Sequence, residues 1–252
     1  MYPELPGGIS SFSAVTSIAL SVSLLYVYFK IDEINLSFKG FSLYCVVCAL
    51  FAFLFAKFTF GISYLPVVGF SLYNLLYYSI NGGIVFYGGL FGVTFGILFL
   101  SHLMKRDGKQ LLDFFSPAFP LFHSIARFAC LLGGCCYGVP SHWGVVMADS
   151  PDVVRFPIQI IESICCFCIF IFLTVHTKRN KSYNGNFIRY LSIYAFCRFF
   201  LEFFRGDADR GIWFWNLSTS QLISIFILFI MVCQLIGSRK FLKKRNGPLI
   251  SE

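Results

Sequence analysis

The chain has 252 residues, of which 57% are hydrophobic and only 13% are charged, whereas about 25% of residues are charged in soluble domains. Its mean hydropathy is +0.74. A water-soluble fold cannot bury that much apolar surface, and disorder needs low hydrophobicity with high charge; both classes are excluded. The composition indicates an all-α polytopic membrane protein with a single integral membrane domain over residues 1–252.

Seven apolar segments follow one another along the chain, and each is near the ~20 residues that a helix needs to cross ~30 Å of hydrocarbon. They are residues 9–29, 41–60, 82–103, 111–132, 157–176, 185–204 and 218–237. The stretch 61–81 is apolar and aromatic as well, but Pro66 and Gly69 interrupt it. We therefore predict seven transmembrane helices, with residues 61–81 forming an arm on the outer membrane surface.

The positive charges predict the orientation of the helices. Of the 20 basic residues, 14 lie in alternate connections, counted from the first one, and in the C-terminal tail. Because cytoplasmic loops carry the excess of Lys and Arg, we expect the N-terminus outside and the C-terminus in the cytoplasm. Residues 133–156 are then an outer head region, and residues 238–252 are a basic cytoplasmic tail. The net charge of +8 follows from this topology, so no nucleic-acid partner is expected.

An arginine and a histidine stand together in the fourth segment. His123 and Arg127 are four residues apart and therefore share a helix face. A charge inside the membrane is costly unless it is paired, hydrated or functional. The alternative is that Arg127 extends its charge to the outer interface.

The sixth segment carries a charged stripe on an aromatic helix. Arg198, Glu202 and Arg205 stand at positions i, i+4 and i+7, on one helix face. Two arginines and one carboxylate leave surplus positive charge, which favours binding of an anion such as a lipid phosphate. The alternative is a structural ion-pair stripe between helices.

Two further groups are weaker candidates. Gln159 and Glu162 share a face at the start of the fifth segment, where helix capping and interhelical hydrogen bonds explain them equally well. Gly88 and Gly89 belong to a glycine-rich entry to the third segment, which predicts either close helix packing or a substrate groove.

The ten cysteines show no zinc-knuckle spacing. Most lie in apolar segments, where a free Cys behaves as a small hydrophobe. Cys135 and Cys136 lie in a glycine-rich turn, where a disulfide or a reactive thiol is possible. No set of three His, Cys or carboxylate ligands stands out, so neither a metal nor a cofactor is predicted.

Over about residues 80–225 the chain resembles the bacterial prolipoprotein diacylglyceryl transferases. The motifs that carry the resemblance are Gly82-Gly83 with Gly88-Gly89-Leu90, Asp113 with Pro117 and Pro120, Arg127 through Gly134 to Gly138, Trp143-Gly144-Val145-Val146, Arg155-x-Pro157-x-Gln159-x-x-Glu162, Arg198-x3-Glu202-Phe-Phe-Arg205, and Ser218-x-x-Gln221. The resemblance implies a multi-pass enzyme of the bacterial inner membrane. Such an enzyme transfers diacylglyceryl from phosphatidylglycerol to the lipobox cysteine of a prolipoprotein, through its signal-peptide region, and forms a thioether.

The resemblance also implies roles for single residues. Arg127, Arg198, Glu202, His123 and Tyr87 are the catalytic candidates, with the arginines stabilising the leaving phosphate and Glu202 orienting Arg198. The resemblance gives the role of base, or part of it, to a His that Tyr87 replaces here, so His123, one turn before Arg127, is our own candidate for a substitute base. Tyr87 is expected to donate a hydrogen bond to phosphate. The candidates for phospholipid binding are Arg127, Arg198, Arg205, Gly88, Gly89, Gly138, Gln159 and Glu162.

The chain departs from the family pattern at three polar positions. Tyr87 replaces a His, Cys130 replaces an Asn, and Cys135 replaces a Glu. These departures leave two alternatives open: a transferase of the same fold with a different acceptor, and a non-catalytic relative that binds phospholipid. A transporter is disfavoured because the chain lacks an internal repeat.

Overall fold

A computed structural model describes residues 4–5, 8–147, 150–207, 212–213 and 216–245, with side chains placed as far as Gln234. In these residues the helices are α1 (Ser11–Tyr28), α2 (Phe38–Val68), α3 (Leu72–Asn81), α4 (Phe86–Leu103), α5 (Gly108–Phe115), α6 (Ala118–Gly133), α7 (Ile158–Asn180), α8 (Asn186–Leu201) and α9 (Thr219–Arg245). Short strands β1 (Glu4–Leu5) and β2 (Ile9–Ser10) pair near the N-terminus, and β3 (Pro140–Met147) pairs with β4 (Ser150–Arg155). Both pairs are antiparallel. In the predicted basic tail, residues 246–252 lie outside the described residues.

The fold is that of a helical membrane protein. In the described residues, five stretches are long and apolar enough to cross a membrane: α1, α2, α4, α7, and α5 with α6 taken together. The remaining two of the seven predicted segments coincide with α8, which has 16 residues, and with the shorter apolar stretch Thr219–Gln234 of α9. Large side chains such as Phe53, Phe58 and Phe229 face outward, as expected of a surface that contacts lipid.

The second helix is longer than predicted. The sequence places its end near residue 60, but α2 continues through Pro66 to Val68. Pro66 lies two residues before the helix ends, so the helix continues past it although Pro66 has no N–H to bond back to the preceding turn. α3 then folds back against the last part of α2, where Tyr64 and Tyr78 have ring centroids 4.7 Å apart. The stretch 61–81 is thus the end of one helix and a second, short helix.

Glycines set the distance between α2 and α4. A Cβ atom on Gly88 would lie 2.6 Å from the Phe55 carbonyl oxygen, and one on Gly92 would lie 2.2 Å from that of Phe51. The two helices therefore approach to backbone contact, as small residues allow in membrane bundles. α1 packs on α6, α6 on α7, and α8 on α9.

Hydrogen bonds connect the helices at the end of the bundle where the basic loops lie. The buried carboxylate of Asp113 on α5 accepts the backbone N–H groups of Gly185 and Phe187, at 2.8 and 2.9 Å, and so holds the first turn of α8. Arg106 donates to the Ile34 carbonyl at 2.7 Å. These bonds join the connections in which the sequence concentrates Lys and Arg.

The other end of the bundle carries the β3–β4 hairpin. Gly138 packs against the chain that follows β4, because a Cβ atom there would lie 2.2 Å from the Phe156 carbonyl oxygen. Gly138 also forms an isolated bridge with Arg205. These contacts bring the connection after α6, the start of α7 and the end of α8 together.

Candidate active site

Glu162 lies at the centre of a buried ion-pair network between three helices. It stands in the second turn of α7 and is 1% exposed. Its Oε2 atom contacts a guanidinium nitrogen of Arg127 from α6, and it accepts from Arg198 Nη1 of α8 at 2.9 Å. Tyr194 of α8 donates to Oε1 at 3.2 Å. One carboxylate thus joins two arginines from different helices.

The network continues through the end of α8. Arg198 Nη2 lies 2.5 Å from Glu202 Oε2, and the same oxygen is 3.7 Å from Arg205 Nη1. The helix ends at Leu201, earlier than the predicted residue 204, and Glu202–Phe204 forms a 3₁₀ turn. The predicted stripe of three charges is therefore present, although its last part is not α-helical.

The predicted surplus of positive charge is wrong for the described residues. Arg205 is paired with Asp207, whose Oδ1 accepts from Arg205 Nε at 2.8 Å, and Glu162 supplies a further carboxylate. Three arginines in the cluster therefore face three carboxylates. The arginines of the cluster are Arg127, Arg198 and Arg205, and the carboxylates are Glu162, Glu202 and Asp207.

His123 lies beside this network, as its four-residue spacing from Arg127 predicts. Its Nε2 atom is 3.5 Å from Glu162 Oε1, and its ring stacks on Phe86 with centroids 3.8 Å apart. Nδ1 is buried and has no hydrogen-bond partner among the described residues. A proton on Nε2, directed at the carboxylate, leaves Nδ1 as a proton acceptor.

Tyr87 has a partner outside the ion-pair network. Its hydroxyl lies 2.8 Å from Ser224 Oγ of α9, and Ser224 in turn donates to the Ser220 carbonyl. Tyr87 is therefore the donor in the first of these bonds. Its proton is engaged within the protein, and its ring packs against Tyr194 at a centroid distance of 5.6 Å.

The remaining predicted residues fall into two groups. Gly88 and Gly89 lie on α4 facing α2, where Gly88 makes the close helix contact and a Cβ on Gly89 would be 3.8 Å from Ala56 Cβ. Gln159 and Gly138 lie beside the network. Gln159 Nε2 donates to the Cys135 carbonyl at 2.9 Å, and its Oε1 is buried without a partner among the described residues.

Arg155 is a cation that the site predictions did not include. Its Nη1 donates to the Gly138 carbonyl at 3.3 Å, and its guanidinium lies 4.2 Å from the centroid of the Tyr137 ring. No carboxylate pairs with it in the described part of the chain. The motif around Arg155 was visible in the sequence, but only the fold shows that it faces Gly138.

Three cysteine thiols also meet here. The Sγ atoms of Cys130, Cys135 and Cys136 lie within 4.8 Å of one another, and all ten cysteines are free. The expectation that no set of three potential metal ligands exists is therefore wrong. The sequence does not reveal this set of thiols. Cys130 stands on α6 and the other two cysteines follow the end of the helix, so the three sulfurs come together only through the turn at Gly134.

The fold and this network define a helical membrane protein in which buried arginines and carboxylates converge at one end of the bundle. The chain belongs to the prolipoprotein diacylglyceryl transferase family, since residues 4–236 match that family.

Individual relatives agree with this assignment. Phosphatidylglycerol–prolipoprotein diacylglyceryl transferase 2 of Clostridium perfringens is 37% identical over 161 residues, which are 62% of this chain and 62% of that protein. Phosphatidylglycerol–prolipoprotein diacylglyceryl transferase of Clostridium tetani is 32% identical over 60% of this chain and 63% of its own. The protein of the same name from Geobacter sulfurreducens is 30% identical over 67% of this chain and 70% of its own. The chain thus spans somewhat less than two thirds of the first two relatives.

Proposed function

We propose that this protein transfers the diacylglyceryl group of phosphatidylglycerol to the cysteine thiol of a prolipoprotein. The proposal is supported by family membership and by one observation in particular: Arg127 is buried in an ion-pair network, yet its Nε–H has no acceptor among the described residues. A buried donor without an acceptor costs about 1–3 kcal/mol. In the proposed reaction, a phosphate oxygen of the bound lipid accepts this hydrogen bond.

The chemistry requires positive charge where the leaving group departs. The thiol sulfur bonds to the terminal glycerol carbon while that carbon's bond to the phosphate oxygen breaks, and glycerol phosphate leaves. Negative charge grows on the phosphate, and fixed cations stabilise it. Arg127 and Arg198 take this role, with Glu202 orienting Arg198 and Arg205 contacting the phospholipid.

The balance of charges in the network determines how the phosphate binds. Because Glu162 already occupies Arg127 and Arg198, the phosphate must compete with this carboxylate for their N–H groups. Arg127 Nε and the guanidinium of Arg155 are donors that no carboxylate engages in the described residues. We place the phosphate at Arg127 Nε, beside Arg198. Arg155, which donates to the Gly138 carbonyl, is a further candidate donor.

The thiol must lose its proton during the attack. His123 is the base in this mechanism, because Nδ1 carries a free lone pair when the proton on Nε2 faces Glu162. The proton of the thiol passes to Nδ1, and the imidazolium that forms is stabilised by the adjacent carboxylate. Tyr87 keeps its hydrogen bond to Ser224 and positions the neighbouring ring of Tyr194.

The membrane arrangement belongs to the same proposal. The chain crosses the bacterial inner membrane seven times as one domain, with its N-terminus outside and its basic tail, 238–252, in the cytoplasm. Support comes from the helix ends: the connections rich in Lys and Arg lie at the end opposite the arginine network. The network, the head region 133–156 and the arm 61–81 then face the outer leaflet.

The test is a transfer assay with purified protein in phosphatidylglycerol proteoliposomes and a lipobox peptide. Mass spectrometry of the peptide should show the mass of one diacylglyceryl group on its cysteine. Arg127→Lys keeps the charge but loses the planar donor geometry, and should lower the rate at least ~100-fold. Arg189→Lys, at the opposite end of the bundle, is the matched control and should leave the rate unchanged.

His123→Gln separates binding from chemistry. It should abolish transfer while phosphatidylglycerol still co-purifies with the protein. Lipid binding without a product in the wild-type protein would identify a non-catalytic relative. Consumption of phosphatidylglycerol without peptide modification would identify a different acceptor, and either result would overturn the proposal.

A further inference from the structure

Three cysteines form a cluster at the end of α6, and the proposed transfer uses none of them. The Sγ atoms of Cys130, Cys135 and Cys136 are mutually within 4.8 Å. Cys130 and Cys136 are half-buried, whereas Cys135 is exposed. The cluster is thus built into the fold on one side and is open to solvent on the other.

The end of α6 creates this arrangement. Gly134 adopts a left-handed conformation with φ of +76°. The Gly134 N–H bonds to the Leu131 carbonyl and the Cys135 N–H bonds to the Cys130 carbonyl, which is the Schellman motif. This motif reverses the direction of the chain and brings Cys135 next to Cys130.

Two further features hold the turn in place. Cys136 also has a positive φ, of 54°, which directs the chain back toward α6. Gln159 of α7 donates to the Cys135 carbonyl at 2.9 Å. The cluster is therefore positioned by backbone bonds and by a neighbouring helix, not by contacts among the thiols alone.

The spacing of the sulfurs matches the ligand shell of a soft metal ion. With a metal–sulfur bond of ~2.3 Å, three thiolates around one ion lie roughly 3.8–4.0 Å apart, so small side-chain rotations close the present separation. Soft thiolate ligands select Zn²⁺ and Cu⁺ among common ions. Three sulfurs suffice for trigonal Cu⁺, and Zn²⁺ would take a water molecule as its fourth ligand on the exposed side.

One cation lies directly beside the cluster. Arg127 Nη1 lies 3.9 Å from Cys130 Sγ, so the cluster borders the arginine network. We infer that Cys130, Cys135 and Cys136 bind one thiophilic d¹⁰ metal ion, Zn²⁺ or Cu⁺, beside the arginine network. This binding is independent of the proposed transfer, so either can fail without the other.

The experiment titrates the full-length protein, reduced and kept without oxygen in detergent, with Zn²⁺ and separately with Cu⁺. A chromophoric chelator competes for each ion, and the absorbance gives the stoichiometry and the affinity. The wild-type protein should bind one equivalent of at least one of the two ions. Cys130→Ser, Cys135→Ser and Cys136→Ser should each weaken that binding at least ~100-fold.

Cys168→Ser is the matched control, because Cys168 is an exposed cysteine of α7 outside the cluster, and it should bind like the wild type. Circular dichroism of each variant checks that the helices are intact; Cys135, being exposed, is the substitution least able to disturb packing. Equal binding by the wild type and by the triple variant would overturn the inference. A disulfide within the cluster in protein from cells lysed under alkylating conditions would overturn it as well.

Discussion

Arg198 Nη1 donates to Glu162 Oε2 at 2.9 Å across the interface of α7 and α8, and both side chains are almost completely buried. The same carboxylate oxygen contacts Arg127 of α6. A single carboxylate therefore ties three helices together at the end of the bundle where the reaction is proposed. The same contacts give this residue a structural role beside its proposed role in catalysis.

The substitution Glu162→Gln tests that double role. Gln keeps the shape but removes the charge that two buried arginines share, and breaking a buried ion pair costs about 3–5 kcal/mol. We expect a clearly lower thermal unfolding midpoint in detergent, together with loss of transfer. Glu33→Gln is the control: Glu33 is exposed and its partner Lys30 is only partly buried, and ion pairs at the surface contribute less than about 1 kcal/mol. Equal unfolding midpoints for the two variants would show that the ion pairs of Glu162 do not stabilise the fold.

Gly88→Ala distinguishes helix packing from lipid binding. The added methyl group would lie 2.6 Å from the Phe55 carbonyl oxygen and 2.5 Å from Thr59 Oγ1, so α4 must move away from α2. We expect a lower unfolding midpoint, with an unchanged KM for phosphatidylglycerol in the protein that remains folded. Gly89→Ala, one residue further along α4, meets only ordinary contacts and should be neutral. A raised KM at normal stability would instead place Gly88 at the lipid.

Tyr87 and Ser224 should behave as a coupled pair. Removing the hydroxyl in Tyr87→Phe, or in Ser224→Ala, breaks the same hydrogen bond and should cost about 0.5–1.5 kcal/mol of stability. The double variant should lose less than the sum of the two single losses, and transfer should persist in all three. Strict additivity of the losses would show that the bond contributes nothing. Loss of transfer in Tyr87→Phe alone would instead show that the Tyr87 hydroxyl donates to the phosphate, as expected from the sequence.

Asp113→Ala tests the hydrogen bonds between α5 and α8 at the end of the bundle opposite the arginine network. The carboxylate holds two N–H groups in the first turn of α8, and loss of such a cap costs about 0.5–2 kcal/mol. We expect reduced stability and an unchanged affinity for phosphatidylglycerol in a lipid-binding assay. A weaker affinity at full stability would show that this residue acts on the site at a distance.

The sequence was informative where a residue's role depends on near neighbours. The pairing of Arg198 with Glu202, and the placement of His123 and Arg127 on the same helix face toward Glu162, follow from spacings of four residues on a helix. Each of the seven predicted apolar segments contains a helix, because length and hydropathy are local properties. The end of α2 differs from the prediction, because the helix continues past Pro66 to Val68.

Relationships between distant segments were not accessible in the same way. The sequence indicates that Glu162 shares a face with Gln159, and the family resemblance makes it a candidate for phospholipid binding. Its contacts with Arg127 and Arg198 depend on how α6, α7 and α8 pack. The carboxylate of Glu162 offsets part of the predicted charge surplus for the same reason. The pairing of Arg205 with Asp207 is local instead, and Arg205 there has an extended backbone after the 3₁₀ turn. The three clustered thiols depend on the backbone reversal at Gly134.

The length of α2 has a consequence for the position of the protein in its bilayer. A helix of 31 residues is about 46 Å long, whereas the hydrocarbon layer is ~30 Å thick. Even a tilt of ~40°, the upper end of the usual range, leaves it several ångströms too long. Part of the helix must therefore lie among the head groups. Most of α2 beyond the predicted apolar segment 41–60 is at its C-terminal end, so its last turns, with the aromatic α3 folded against them, are the part we expect there. This hairpin then fixes the depth of the bundle, and the transfer rate should depend on the acyl chain length of the surrounding lipid.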